Sequence, residues 1–300
     1  MKKVKILSIV GPTTSGKTSL AIELAQHFNG EVISADSRQV YRGLDLGSGK
    51  VTTEEMANIK HHLLDVADID QIYTGANFVH DAKIAIADIT KRGKLPIIAG
   101  GTFFYIELLK VTKNVSPVVP NHILRQELAK LTTEELWQKL QTTDTRRAEN
   151  IDKKNRHRLI RALEIIEALG HVPDPENPKS EFDWLSIGIR IDKDQLKERI
   201  NQRLKDRLEK GMIQEVENLL KAGVSSERLI SFGLEYRHII EYFKGGMTLE
   251  ELKNLLNTKN IQLAKRQYTW LKRDQHITWL DFPVTLDKTK NIVQNFLDNT

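Results

Sequence analysis

Cysteine is missing from all 300 residues. Its absence excludes disulfides, thiolate catalysis and Cys-ligated zinc, and it fits a reducing cytosol. Long apolar runs are missing as well, and no stretch approaches the ~18 residues that crossing a bilayer requires. The opening MKKVKILSIV begins like an export signal, but its apolar run stops at Gly11 and Pro12 and reads as a first strand. There is no internal repeat and no low-complexity tract. These absences leave a cytoplasmic protein with no membrane association as the expectation.

Charge is scarce in total and concentrated in place. The net charge is +5, yet residues 146–161 carry seven bases (Arg146, Arg147, Lys153, Lys154, Arg156, Arg158, Arg161) against Glu149 and Asp152. That segment holds the whole excess, and the rest of the chain balances. A local cationic stripe on a neutral background suits a polyanionic partner. A solvated helix face is the plainer reading of the same run.

The first hundred residues alternate between strand and helix patterns. Val4–Val10, 31–35 and Leu95–Ala99 read as strands, 17–28 and 76–92 as helices, and this rhythm predicts a parallel sheet covered by helices. From 117 to 183 helical patterns run without strands, at 124–131, 133–141 and 155–169. A strand is expected at 184–191, and after Asp194 the pattern is almost wholly helical. The expected fold class is α/β, with a P-loop NTPase-like parallel sheet core, an all-helical insertion and a helical C-terminal part. The domains are read as 1–116 for the first part of the core, 117–183 for the insertion, and 184–300 for the return strand and C-terminal helices.

Residues Gly11, Pro12, Thr13, Thr14, Ser15, Gly16, Lys17 and Thr18 satisfy G-x-x-x-x-G-K-[ST], with a strand before and a helix after. Small residues let backbone N–H groups curl around phosphate oxygens, and the helix N-terminus adds positive potential. Lys17 is expected to reach the terminal phosphate, and the Thr18 hydroxyl to sit on Mg²⁺. An NTPase also needs an acid at the end of a second apolar strand. Here 95–99 runs into Gly100, Gly101 and Thr102 with no acid, and Asp192 reads as a helix cap. The loop is therefore expected to hold a diphosphate without machinery for cleaving a γ-phosphate. Asp36 closes the second strand on the edge where α/β sheets hold ligands. It is a candidate general base, with a helix or loop cap as the alternative.

Taken together, GPTTSGKT, ISADSRQVYRGLDLGSGK, HHLLDV, PIIAGGT and KRQYTWLKR closely resemble the tRNA dimethylallyltransferase family, in order and across essentially the whole chain. The resemblance implies transfer of a prenyl group from dimethylallyl diphosphate to the exocyclic amine of adenine 37 in the anticodon loop of tRNA. Magnesium is the implied cofactor, and a monomer is expected. By position it implies Asp36 as base, Thr18 and Arg203 as further catalytic residues, and 11–18 as the diphosphate site. As tRNA contacts it implies Asp36, Ser37, Arg38, Gln39, Thr102, Arg125, His157, Arg158, Leu159, Ile160, Arg161, Lys265, Arg266 and Gln267. Two departures stand out. The family's Gly-Gly-Thr-Gly-Leu-Tyr appears as Gly100 to Tyr105 with Phe103 and Phe104 inside it, and its Ile-Gly-Tyr-Lys run appears as Phe232-Gly233-Leu234-Glu235-Tyr236-Arg237.

Overall fold

The computed structural model describes residues 3–110, 118–173 and 180–299. The chain divides into two compact units, Met1–Val111 with Ser180–Thr300, and Thr112–Lys179. In the first unit β1 (Val4–Val10) leads into α1 (Lys17–His27), β2 (Gly30–Ser34), β3 (His61–His62), α2 (Gly75–Lys91), β4 (Leu95–Ala99) and α3 (Phe103–Lys110). The second unit holds α4 (His122–Leu128), α5 (Thr133–Thr143), α6 (Thr145–Glu149) and α7 (Arg156–Leu169). The chain then resumes the first unit with β5 (Phe182–Arg190), α8 (Lys193–Glu209), α9 (Met212–Lys221), α10 (Ser226–Ser231), α11 (Leu234–Phe243), α12 (Leu249–Leu271), β6 (Ile277–Asp281) and α13 (Leu286–Asp298).

Six parallel strands run in the order β3-β2-β4-β1-β5-β6. The interior strands β2 and β4 are buried at every position, as a sheet covered on both faces requires. Parallel pairing brings the carboxyl ends of β1, β2 and β4 side by side, so the phosphate loop, Asp36 and Gly100 leave the sheet from one edge. A side chain at Gly100 would lie 2.2 Å from the Ala35 carbonyl oxygen, so only glycine lets the turns after β2 and β4 meet.

Two elements differ from the sequence expectation. The region after Asp194 is almost wholly helical as expected, but β6 adds an unforeseen edge strand beside β5 with Ile187 opposite Thr278. The short β3 was also not foreseen; His61 pairs with Val32 and His62 with Ile33.

The second unit is built on its own apolar cluster, in which Leu136, Leu140 and Leu159 are fully buried. Helix α5 starts at a capping box in which Thr132 accepts from the Glu135 amide and Glu135 reaches back to Thr132. Helix α7 is capped by the Asn155 side chain, which accepts from the Arg158 amide, and ends at Gly170 with φ 79°. No helix among the described residues is long and apolar enough to cross a membrane.

Candidate active site

The loop after β1 has the backbone that phosphate binding demands. Gly16, just before α1, lies at φ 91°, a left-handed conformation that glycine adopts without strain. A side chain at Gly11 would meet Ser15 Oγ at 2.6 Å, so the loop folds tightly over that buried hydroxyl. Lys17 is 8% exposed, and its Nζ donates to the Pro12 carbonyl at 2.7 Å. Burial first and the Arg203 charge second lower its pKa, Asp36 works in the opposite direction, and the net result is about 7. An ammonium held this way lacks an anion, and a phosphate oxygen would supply one.

Asp36 begins the turn after β2. Its Oδ1 accepts from the Arg38 amide at 2.9 Å and the Gln39 amide at 3.4 Å. Among the described residues its Oδ2 accepts no hydrogen bond, and it lies on the side of Gly101. One oxygen therefore fixes the turn, as a cap does, while the other makes no such bond.

Several neighbours serve as braces. The Ser37 amide donates to Thr102 Oγ1 at 3.0 Å, and the Thr102 amide donates to the Ala35 carbonyl at 2.9 Å. Arg38 Nε donates to the Phe232 carbonyl. Gln39 accepts from Ser34 Oγ at 3.2 Å and donates to the Gly49 carbonyl at 3.1 Å. It is therefore neither a solvated loop residue nor, in this arrangement, a free reader of a base edge. Gln267, on α12, accepts from the Thr13 amide at 2.8 Å and donates to the Gly101 carbonyl at 3.0 Å. Its side chain ties the phosphate loop to the turn after β4, a role that no local motif announces.

Helix α8 supplies arginines four residues apart, so Arg199, Arg203 and Arg207 share a face. Arg199 Nε donates to the Thr14 carbonyl at 2.9 Å, and Arg203 Nη2 to the Gly49 carbonyl at 2.8 Å. Arg207 donates to the Leu46 and Gly47 carbonyls and pairs with Glu235 at 3.1 Å. The amides of the same loop are held by Glu215, which accepts from Asp45 at 3.0 Å, Leu46 at 2.6 Å and Gly47 at 2.9 Å, and also from the Tyr236 hydroxyl at 3.0 Å. Sequence reasoning found Arg203 alone; the four-residue spacing on a helix was the signal for its neighbours.

These parts enclose a cavity of about 160 Å³ that Thr13, Lys17, Thr18, Asp36, Arg203 and Gln267 line together. A wider recess of about 640 Å³ shares Lys17, Thr18 and Arg203 with it. Cationic donors for a departing anion and a carboxylate for a proton thus meet in one enclosure.

A family model described as IPP transferase matches residues 39–274. The chain belongs to the IPP transferase family. The tRNA dimethylallyltransferase of Alkaliphilus metalliredigens is 40% identical over 307 residues, covering 100% of this chain and 97% of its own. That of Streptococcus pyogenes serotype M4 is 41% identical, over 91% of this chain and 89% of its own. The crystal structure of the full-length tRNA isopentenylpyrophosphate transferase of Bacillus halodurans superposes with TM-score 0.73 at 35% identity, covering 99% and 96% of the two chains. A eukaryotic dimethylallyltransferase described as acting on tRNA superposes with TM-score 0.79 at 27% identity, over 97% of this chain and 77% of that one.

Phe103, where this member departs from the family pattern quoted above, is 6% exposed and packs in the apolar core under α3. It does not line the cavity that holds Asp36. Tyr236, in the second departure, is 1% exposed and closes against Gly47, where a side chain would lie 2.4 Å from its ring.

The remaining predicted contacts lie outside that cavity. Lys265 and Arg266 are exposed on α12, while Leu271 is buried and Trp270 half-buried. In the second unit His157 and Arg158 are exposed, and Ile160 and Arg161 are half-buried. Leu159 has no exposed surface, so its side chain belongs to the core of that unit and cannot touch a nucleic acid. Arg125 and Arg161 both bond to the buried Glu164. His62 lies 2.7 Å from Glu31, with Asp88 close by. Arg92 and Lys94 already occupy that Glu31 carboxylate and hold its pKa far below the usual range, so the cluster is an ion-pair network rather than a metal site.

Proposed function

We propose that this chain transfers the dimethylallyl group of dimethylallyl diphosphate to the exocyclic amine of adenine 37 in tRNA, beside the anticodon, releasing diphosphate. The observation that carries the reading is the single enclosure in which the phosphate loop and the open oxygen of Asp36 meet. The family membership agrees with it. A monomer belongs to the same reading, and a tRNA substrate implies action in the cytoplasm.

The adenine amine is a weak nucleophile, since its lone pair is delocalised into the ring. Its nitrogen forms a bond to the allylic carbon as the bond from that carbon to the diphosphate oxygen breaks. Asp36 Oδ2 takes the amine proton, and Oδ1 keeps the carboxylate oriented through the Arg38 and Gln39 amides. Lys17 and Arg203 stabilise the charge that develops on the diphosphate. The Gln267 bridge holds the phosphate loop and the turn after β4 at a fixed separation, which keeps amine and carbon aligned. Position 37 must leave the loop stack to enter so closed a site, at a cost of a few kcal/mol offset by backbone contacts. Asp36, Ser37, Arg38, Gln39, Thr102 and Gln267 belong to the entry for that base, and Lys265, Arg266, Arg125, His157, Arg158, Ile160 and Arg161 to the wider RNA contact.

Magnesium fits the donor set. Thr18 is exposed and lines both cavities, and its hydroxyl would hold the cation beside the diphosphate. Bound there, it would neutralise diphosphate charge. The reading is tested by incubating the protein with an anticodon stem-loop and either labelled dimethylallyl diphosphate or ATP, and locating the label by mass spectrometry. A five-carbon addition at position 37 is expected. Phosphate release from ATP at enzymatic rates would instead indicate a kinase.

A further inference from the structure

The helical unit keeps a carboxylate where a carboxylate is costly. Glu164, on α7, has no exposed side-chain surface. Its Oε1 accepts from the Asn121 amide at 2.6 Å and from Arg125 Nε at 2.8 Å. Its Oε2 accepts from Arg125 Nη2 at 2.8 Å and from Arg161 Nη1. Arg161 Nη2 donates in turn to the Val118 carbonyl at 2.8 Å. Burial alone would raise the Glu164 pKa, but the two guanidinium bonds and the amide outweigh it and hold the group at about 2. It is therefore ionised throughout the physiological range.

Among the described residues the charges around it do not balance. One arginine would neutralise Glu164, yet two converge on it, and both remain partly open to solvent at 39% and 32% exposure. Drawing two like charges onto one carboxylate costs energy that a further anion would relieve. Each guanidinium has five N–H donors, and the bonds named use two from each. Arg158 stands exposed one turn earlier on the same face of α7. A planar fork fixed on a carboxylate loses little freedom when it binds a phosphate, and this separates it from a mobile surface lysine.

We propose that Glu164 is a positioning residue for the nucleic-acid substrate, presenting the Arg125 and Arg161 guanidiniums as a preset pair for one backbone phosphodiester. The proposal rests on the tRNA reading above and adds the residue that orders two of its contacts. It differs from a screened cationic patch in a way that experiment can separate by sign. Glu164→Gln removes a negative charge, so a patch acting by charge alone would bind RNA more tightly. A positioned pair loses its anchor and binds more weakly. Arg125→Lys keeps the charge and loses the fork, so a patch predicts no change and a positioned pair predicts weaker binding.

The test measures affinity of the full-length variants for an anticodon stem-loop by fluorescence anisotropy at two salt concentrations, with melting temperature followed in parallel. Both variants are expected to bind roughly tenfold more weakly at each salt concentration, with unchanged affinity for dimethylallyl diphosphate. If Glu164→Gln loosens the helical unit, Arg125→Lys decides, since it keeps the ion pair. Folded Arg125→Lys with parental RNA affinity would overturn the proposal, as would inorganic phosphate competing as well as the stem-loop. A parent protein that binds no stem-loop would instead refute the tRNA reading itself.

Discussion

The two sets of groups proposed above to meet phosphates work on opposite terms. At the sheet edge the donors are backbone amides and one buried lysine, set by the glycines of the loop and largely enclosed. In the helical unit they are long side chains on α7 and α4, half in solvent. A charge in the first setting is worth more and is screened less. A charge in the second adds reach along a polyanion and answers to salt. The enclosed set suits a small leaving group whose charge changes during reaction, and the open set suits a substrate that only has to be held.

The largest effect should come from the enclosed set. Asp36→Asn keeps an oxygen to accept from the Arg38 and Gln39 amides, so the turn should survive. The transfer rate should fall by ~10²–10⁴-fold, measured in single turnover, with RNA affinity near the parent. A variant that transfers normally would reduce Asp36 to a brace like its neighbours.

Next in size is the pH response of Lys17. With its pKa near 7 in the empty site, the amine is charged below that pH and neutral above it. A bound diphosphate favours the ammonium, so above pH 7 binding must draw in a proton. Donor affinity is expected to fall by up to about tenfold per pH unit above that point. Calorimetry in buffers of different ionisation enthalpy reads the proton uptake directly. Lys17→Arg, charged throughout, should flatten the dependence, and a dependence that persists would locate the titration on the diphosphate.

The open set should show itself in salt. Replacing Arg158 and Lys265 together by Ala should flatten the slope of log RNA affinity against log salt by about one to two units. Donor affinity should change little with salt in parent and variant alike. The smallest effect expected on RNA binding is that of Leu159→Ala. This side chain is fully buried among its neighbours, so the change should cost about 2–5 kcal/mol of stability. The salt slope of the folded variant should stay at the parental value.

What the sequence disclosed follows how local each signal is. The strand, loop and helix from Val4 to His27 could be read because their pattern is contiguous, and Asp36 because a buried strand ends beside it. The arginines of α8 were legible in principle through their spacing of four. Gln267 and Gln39 were not legible as braces, since the bonds that define them reach Thr13, 254 positions away, and Gly49, ten away. Thr102 and Ser37 likewise look like independent contacts until parallel pairing of β2 and β4 sets them side by side. The two missed strands are edge strands of two and five residues, too short for alternation to outweigh the helices around them. Leu159 entered the expected contacts only as part of the segment 157–161 that the family resemblance implies, although its period along α7 places it inward.

The loop held by Glu215 bears on how substrate is received. Three successive amides converging on one carboxylate form the kind of concavity that elsewhere captures a passing anion, and here the chain furnishes that anion itself. The conformational entropy of this stretch is thereby lost when the protein folds rather than when a donor arrives. The cavity rim is already a wall before anything enters, and the affinity that ordering a flap would consume remains for unstacking the base.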